Sequence, residues 1–298
     1  MCLLTLAWRC HPRYDFVFVG NRDEFHQRPT APAAWWPSPA GRPAMLAGRD
    51  LEAGGTWLGV RADGAFATVT NVREPRSRRA GARSRGELIT DYLLAAPDHD
   101  PGVEPGGSWD VAGEGRADGE PMAAGPDPLA FLARVAAAGE DYAHFNLLTG
   151  RLAEPARLGY VNNVDGTPQL LDAGIHVLSN HRLNTPWPKA TRTSAGLERL
   201  LHEEGLEGDA MIDALLTLFA DRTPAAPASL PHTGLDRDTE LALSSPFIIT
   251  DGYGTRASTV LLCDRDGDVT FVEQSFDADG TPTDRVTARF TLAPPAPR

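Results

Sequence analysis

Met1-Cys2-Leu3-Leu4-Thr5-Leu6-Ala7-Trp8 opens the chain, and Phe16-Val17-Phe18-Val19-Gly20-Asn21-Arg22-Asp23-Glu24 follows a turn at His11-Pro12-Arg13. The first run is apolar at nearly every position, as expected of a strand covered on both faces. The second is β-branched and aromatic, with Gly20 as its end, so the two read as a β-hairpin. Antiparallel pairing brings Gly20 to Glu24 back beside Cys2. A cysteine directly behind the initiator methionine becomes the N-terminal residue once an aminopeptidase removes Met1, because its side chain is small. Thiol and α-amine then sit on one residue, and the amine, with a pKa of about 7.7–8.0, is a base near working pH.

Further along, residues 25 to 53 are rich in Pro, Gly and Ala around Trp35-Trp36 and read as a long irregular loop of the kind that walls a pocket. Gly54 to Gly59 is a glycine-flanked turn, and Ala65 to Thr70 a strand ending at Asn71. Ser84-Arg85-Gly86-Glu87 is a capping box before a helix. Residues 97–126, acidic and Gly/Pro-rich, read as a mobile surface insertion. Asp127-Pro128 starts a second helix. Strand-like runs at 145–149, 158–161 and 175–179 precede amphipathic helices at 191–204 and 209–220. A loop covers 224–238, strands return at 247–250, 255–263, 269–273 and 286–292, and a Pro-rich tail occupies 293–298. Helices do not alternate with strands, which disfavours a doubly wound sheet and predicts antiparallel sheets covered by helices, an α+β fold in one domain spanning 1–298.

Composition narrows the functions. The 298 residues are 42% hydrophobic and 23% charged, with a net charge of −12. That acidity, without a Lys/Arg stripe, argues against nucleic acid. No apolar run approaches the ~20 residues of a membrane span, and the N-terminus lacks a basic flank, so no integral membrane contact and a cytoplasmic location are expected. Three cysteines (Cys2, Cys10, Cys263) make no disulfide framework. Scattered histidines without ligand spacing predict no metal and no cofactor, and there is no G-x-S-x-G elbow.

The chemistry-bearing candidates centre on Cys2. Arg22 and Asp23 form either a structural ion pair or a site pair in which Asp23 holds the α-amine and Arg22 favours the thiolate. Adjacent strand residues point to opposite faces, so one of them, with Asn21 or Glu24, faces Cys2. Asn71 and Asn180 sit at strand ends, where a side-chain amide either donates to an oxyanion or shapes a turn. Arg256, at the start of another strand, offers a similar electrostatic role. Glu24, Trp57 and Trp187 are candidate pocket walls, Trp187 being equally a packed turn.

Cys2, Asn21-Arg22-Asp23-Glu24, Gly54-Gly55-Thr56-Trp57-Leu58-Gly59, Thr70-Asn71, Ser84-Arg85-Gly86, Leu178-Ser179-Asn180, Thr185-Pro186-Trp187-Pro188-Lys189 and Tyr253-Gly254-Thr255-Arg256 occur in this order. Together they resemble the NRDE family, also called the transport-and-Golgi-organisation-2 (TANGO2-like) family. The family is similar to N-terminal-nucleophile hydrolases, so the resemblance implies a four-layer αββα sandwich. It is also similar to the cysteine amidases that cleave bile-salt conjugates and penicillin V. By that likeness Cys2 is the nucleophile, Asn71 and Asn180 form the oxyanion hole, and Arg22, Asp23 and Arg256 complete the site. The amidases separate their arginine and aspartate by three residues, whereas Arg22 and Asp23 are adjacent. The activity implied is hydrolysis of a non-peptide amide through an acyl-enzyme. The alternative is a non-catalytic carrier of haem or an acyl-CoA-like ligand in the same pocket.

Overall fold

Cys2–Trp8 (β1) and Tyr14–Phe25 (β2) pair antiparallel from Trp8↔Phe16 to Cys2↔Arg22, the expected hairpin. The computed structural model describes residues 2–37, 44–73, 83–94 and 127–293. The expected insertion at 97–126 lies outside these residues, as does the tail apart from Ala293. β2 does not end at Gly20. It continues through Asn21, Arg22, Asp23 and Glu24 because a later strand pairs along its other edge as far as Phe25↔Tyr253.

The stretch expected to be a loop holds two strands, Thr30–Trp35 (β3) and Met45–Asp50 (β4). Pro32 lies inside the register shift between Ala31 and Ala34, where a missing N–H costs the ladder nothing. Leu58–Arg61 (β5) and Ala65–Asn71 (β6) follow, then Arg85–Leu93 (α1). Ser84 caps α1, with Glu87 reaching back to the Ser84 N–H at 3.0 Å. Pro128–Ala137 (α2) is capped by Asp127, which accepts from the Ala130 N–H at 2.9 Å. Both caps are as expected from sequence.

Phe145–Arg151 (β7), Arg157–Asn162 (β8), Gln169–Leu170 (β9) and Gly174–Leu178 (β10) come next. Pro188–Leu201 (α3) starts three residues earlier than its apolar spacing suggests, because Pro188 takes the first helical position. Gly208–Phe219 (α4) and Arg237–Ala242 (α5) are followed by Ile249–Thr250 (β11), Tyr253–Asp264 (β12), Asp268–Phe276 (β13) and Pro282–Thr291 (β14).

The strands form two antiparallel sheets. One runs β10-β1-β2-β12-β13-β14, with β11 on β12; the other runs β3 to β9 in chain order. Alternation along β1 and β2 explains the layers. Leu4, Leu6, Trp8, Phe16 and Phe18 face the second sheet and pack on Leu58, Phe66 and Leu148. Leu3, Val17 and Val19 face the other way, onto Leu197 of α3 and Leu215 and Phe219 of α4. On the far side, Ala67 and Leu147 pack under Ile89 of α1 and Phe131 of α2. The fold is therefore α+β, a four-layer αββα sandwich as expected.

Phe66 sits at the centre of the inter-sheet core, fully buried and edge-on to Phe16 and Phe18 at 5.1 and 5.4 Å. Truncation leaves a cavity between two sheets that cannot collapse locally. Phe66→Ala is expected to cost about 3–5 kcal/mol in urea unfolding; a loss below about 1 kcal/mol would contradict this account of the core.

Candidate functional site

The register of β1, β2 and β12 sorts the polar residues. Cys2 lies directly opposite Arg22, and residues opposite one another share a face, so thiol and guanidinium both point between the sheets. Asn21 and Asp23 point to the helices. Asn21 is 2% exposed and fully used: its amide donates to the carbonyls of Phe219 (2.9 Å) and Pro246 (3.0 Å) and accepts from Ser258 Oγ (2.6 Å). It staples α4 to the sheet. Asp23 is equally buried; its carboxylate accepts from Thr255 Oγ1 at 2.7 Å and its carbonyl from the Tyr253 hydroxyl at 3.0 Å. Its backbone N–H reaches the Cys2 thiol.

Arg22 is held on the inter-sheet side. Its guanidinium lies 4.3 Å over the Trp57 ring, donates to Thr30 Oγ1 at 3.1 Å, and pairs with Asp50 (3.4 Å) and Glu24 (3.9 Å). Asp50 also holds Arg28 at 2.6 Å. Trp57 can lie there only because residue 48 is glycine: a Cβ would meet its ring at 2.3 Å. A small cavity of about 20 Å³, room for one water, is lined by Cys2, Arg22, Trp57, Val69, Thr70 and Thr259 among others.

Arg256 does something else. The β2–β12 register jumps from Asp23↔Thr255 to Arg22↔Ala257, leaving Arg256 as the extra residue of a bulge. The bulge aims its guanidinium at the carbonyls of Phe25 (3.2 Å), His26 (3.1 Å) and Arg28 (3.3 Å), so it ties down the turn after β2.

Asn71 and Asn180 meet. Asn180 is fully buried and its amide nitrogen donates to Asn71 Oδ1 at 2.9 Å, joining the end of β6 in one sheet to the second residue after β10 in the other. Thr70 Oγ1 donates to the Ser179 carbonyl (3.2 Å), and the Arg73 N–H to the Asn180 carbonyl (2.7 Å), reinforcing the junction. The amide orientations follow from this network. With its oxygen occupied, Asn71 keeps its NH₂ as the outward donor. Trp187 caps α3 and stands 5.0 Å from the Arg73 guanidinium; with Lys189 and Glu240 they line a second small cavity.

Three cations near Cys2 were not singled out from the sequence. Arg73 is 7% exposed and pairs with buried Glu240 at 2.8 Å. Arg85, the first residue of α1, donates to the His144 carbonyl at 3.3 Å; burial lowers its pKa and the nearby Cys2 opposes that. Lys189 is 2% exposed with no hydrogen-bond partner for Nζ among the described residues, and burial pushes it down to about 8. A signal for it existed: Pro188 at the first helical position places a lysine in the first turn, where the helix dipole disfavours a cation. Burial also raises the Cys2 thiol and the Asp23 carboxyl above their ordinary values.

The sequence profile of "Transport and Golgi organisation 2" matches residues 1–278. The chain belongs to that family. Relatives named Transport and Golgi organization protein 2 homolog are 31% identical in Bos taurus and 30% in Homo sapiens; each alignment spans 98% of this chain and 99% of the relative. Among solved structures, the mutant C2A conjugated bile acid hydrolase from Clostridium perfringens aligns over 100% of this chain and 99% of that one, with a TM-score of 0.37 and 10% identity. A likeness of that size adds nothing to the fold described above. This family member has, among its described residues, no helix long and apolar enough to cross a membrane.

One buried acid behind the site yields a test. Glu273 is 2% exposed, accepts from the Ala33 N–H at 2.7 Å, and is pushed up to about 7 by burial. A carboxyl raised in the fold stabilises fully below its unfolded pKa and loses that contribution as pH rises through 7. Glu273→Gln keeps the acceptor and cannot ionise. Relative to wild type it is expected to gain on the order of 3 kcal/mol in urea unfolding between about pH 5 and pH 8; a difference independent of pH contradicts the assignment.

Proposed function

We propose that this chain is an N-terminal-nucleophile amidohydrolase that cleaves a linear, non-peptide amide of a small molecule through a Cys2 acyl-enzyme. The observation that carries the reading is the placement of Cys2: opposite Arg22, bonded by the Asp23 N–H, and lining one cavity with Thr70, the neighbour of Asn71.

Removal of Met1 gives Cys2 a free α-amine. The amine takes the thiol proton as Sγ bonds to the amide carbonyl carbon, and the carbonyl π pair moves to oxygen. The Asn71 NH₂ donates to that oxyanion, and Asn180 holds Asn71 in place rather than donating itself. Collapse re-forms the carbonyl and breaks the C–N bond, with the α-ammonium protonating the leaving amine. Water then attacks the thioester, the α-amine accepting its proton, and the carboxylic acid leaves as the thiol is restored. Arg22 supplies positive charge on the thiol's face, Asp23 anchors the amine, and Arg256 fixes the turn at the end of β2.

The pair Trp35-Trp36, in the stretch expected to wall a pocket, packs elsewhere. Trp35 meets Phe290 at 5.4 Å, and Trp36 donates to the Ala47 carbonyl at 2.9 Å and lies 4.7 Å under Arg49. Neither lines the Cys2 cavity. Against a panel of N-acyl amines, Cys2→Ala is expected to abolish turnover and Asn71→Ala to lower kcat by about 10²–10³. Full activity in Cys2→Ala sinks the mechanism.

A further inference from the structure

Behind the junction of Asn71 and Asn180 lies a chain of buried polar side chains that no step of the mechanism uses. Thr70, Asn146 and Asn162 stand side by side near the ends of β6, β7 and β8, in the registers Thr70↔Asn146 and Asn146↔Asn162. Residues opposite one another share a face, and alternation puts these three on the face that carries Phe66, Leu148 and Tyr160 into the inter-sheet core. All three are buried, Asn146 completely. A polar group buried there costs stability unless it is hydrogen-bonded, so each donor must find its acceptor.

Backbone N–H groups set the direction of these bonds. Asn162 Oδ1 accepts from the N–H of Val164 (2.9 Å) and of Asp165 (2.7 Å), which leaves Nδ2 as its donor. That nitrogen donates to the Asp165 carboxylate at 3.1 Å and to the Tyr160 hydroxyl oxygen at 3.2 Å. The Leu183 N–H donates to the same hydroxyl oxygen, also at 3.2 Å. With both lone pairs engaged, Tyr160 sends its proton to Asn146 Oδ1 at 2.7 Å. The Asn146 amide is thereby oriented, and its Nδ2 donates to Thr70 Oγ1 at 3.1 Å. Thr70 in turn gives its single hydroxyl proton to the Ser179 carbonyl at 3.2 Å. The next residue is Asn180, whose Nδ2 donates to the Asn71 carbonyl (3.3 Å) and to Asn71 Oδ1 (2.9 Å).

Reversal of the Asn146 amide would present an acceptor to Thr70. The Thr70 proton would then turn away from Ser179 and release the segment that carries Asn180. We propose that Asn146 is a positioning residue for acylation: through Thr70 and Ser179-Asn180 it holds the Asn71 amide where the oxyanion develops. This rests on the reading of Asn71 as the oxyanion donor. Thr70 lines the Cys2 cavity, and Asn146 is not among its walls.

Two reactions of one thiol separate this role from a structural one. In acylation by p-nitrophenyl acetate, Sγ bonds to the ester carbonyl carbon as the α-amine takes the thiol proton. The carbonyl π pair moves to oxygen and returns as p-nitrophenolate leaves, so an oxyanion forms. Alkylation by iodoacetamide is a direct displacement of iodide and forms none. Both rates are followed by mass mapping of the N-terminal peptide, so that Cys10 and Cys263 do not interfere. Asn146→Asp, whose carboxylate accepts from Tyr160 and Thr70 alike, is expected to slow acylation about tenfold and leave alkylation unchanged. Tyr160→Phe frees the Asn146 amide to reverse; it is expected to lower the ratio of acylation to alkylation too, and decides the matter where Asn146→Asp does not fold. A wild-type ratio in every variant that folds overturns the inference, as does an equal slowing of both reactions. So does failure of both variants to fold, because the network then serves the fold alone. Asn71→Ala separates the two claims. Wild-type acylation in that variant rejects Asn71 as the oxyanion donor, whereas slow acylation there with an unmoved ratio in the other two rejects only the role of Asn146.

Discussion

Everything at the site depends on one register. Cys2 opposite Arg22, and Arg22 opposite Ala257 across a bulge, decide which side chains face the second sheet and which face the helices. A one-residue slip would exchange the two sets, because side chains alternate along a strand. The apolar residues of the hairpin prevent the slip. Leu4, Leu6, Phe16 and Phe18 belong to the inter-sheet core, and Leu3, Val17 and Val19 to the core under α3 and α4. Hydrophobic burial of about 1.5–3 kcal/mol per large side chain enforces the polar geometry at the strand ends.

Buried charge around Cys2 is balanced in local sets. Arg22 answers to Asp50 and Glu24 on the inter-sheet side, and Arg73 to Glu240 beyond the strand ends. Such pairs are weak sources of stability, since desolvation offsets most of their attraction, but removing one member leaves the other stranded. The side chains of Asn21 and Arg256, by contrast, are consumed by hydrogen bonds to main-chain carbonyls and one serine, so they shape the scaffold.

Much of this was legible in the chain. The hairpin, the capping box at Ser84, the Asp127-Pro128 helix start and the strand-end asparagines all follow from local rules whose reach is a few residues. What failed was non-local. β3 and β4 carry Pro32, Gly48 and several alanines, a composition that reads as loop, and they are strands because neighbouring strands and Trp57 demand flat, small-residue backbone there. The extension of β2 past Gly20 depends on β12, more than two hundred residues later. Lys189 was hidden because the stripe it opens is otherwise made of small and apolar residues, and only the fold shows how completely it is buried.

The central claim is that the mature chain begins at Cys2 and that this thiol takes up an acyl group. The most direct measurement is the mass of the N-terminal peptide before and after treatment with a thiol-reactive acyl probe. The account predicts a peptide that lacks Met1 and gains a single acyl group on Cys2, with no gain in Cys2→Ala. A peptide that retains Met1, or an acyl group carried only by Cys10 or Cys263, would contradict it.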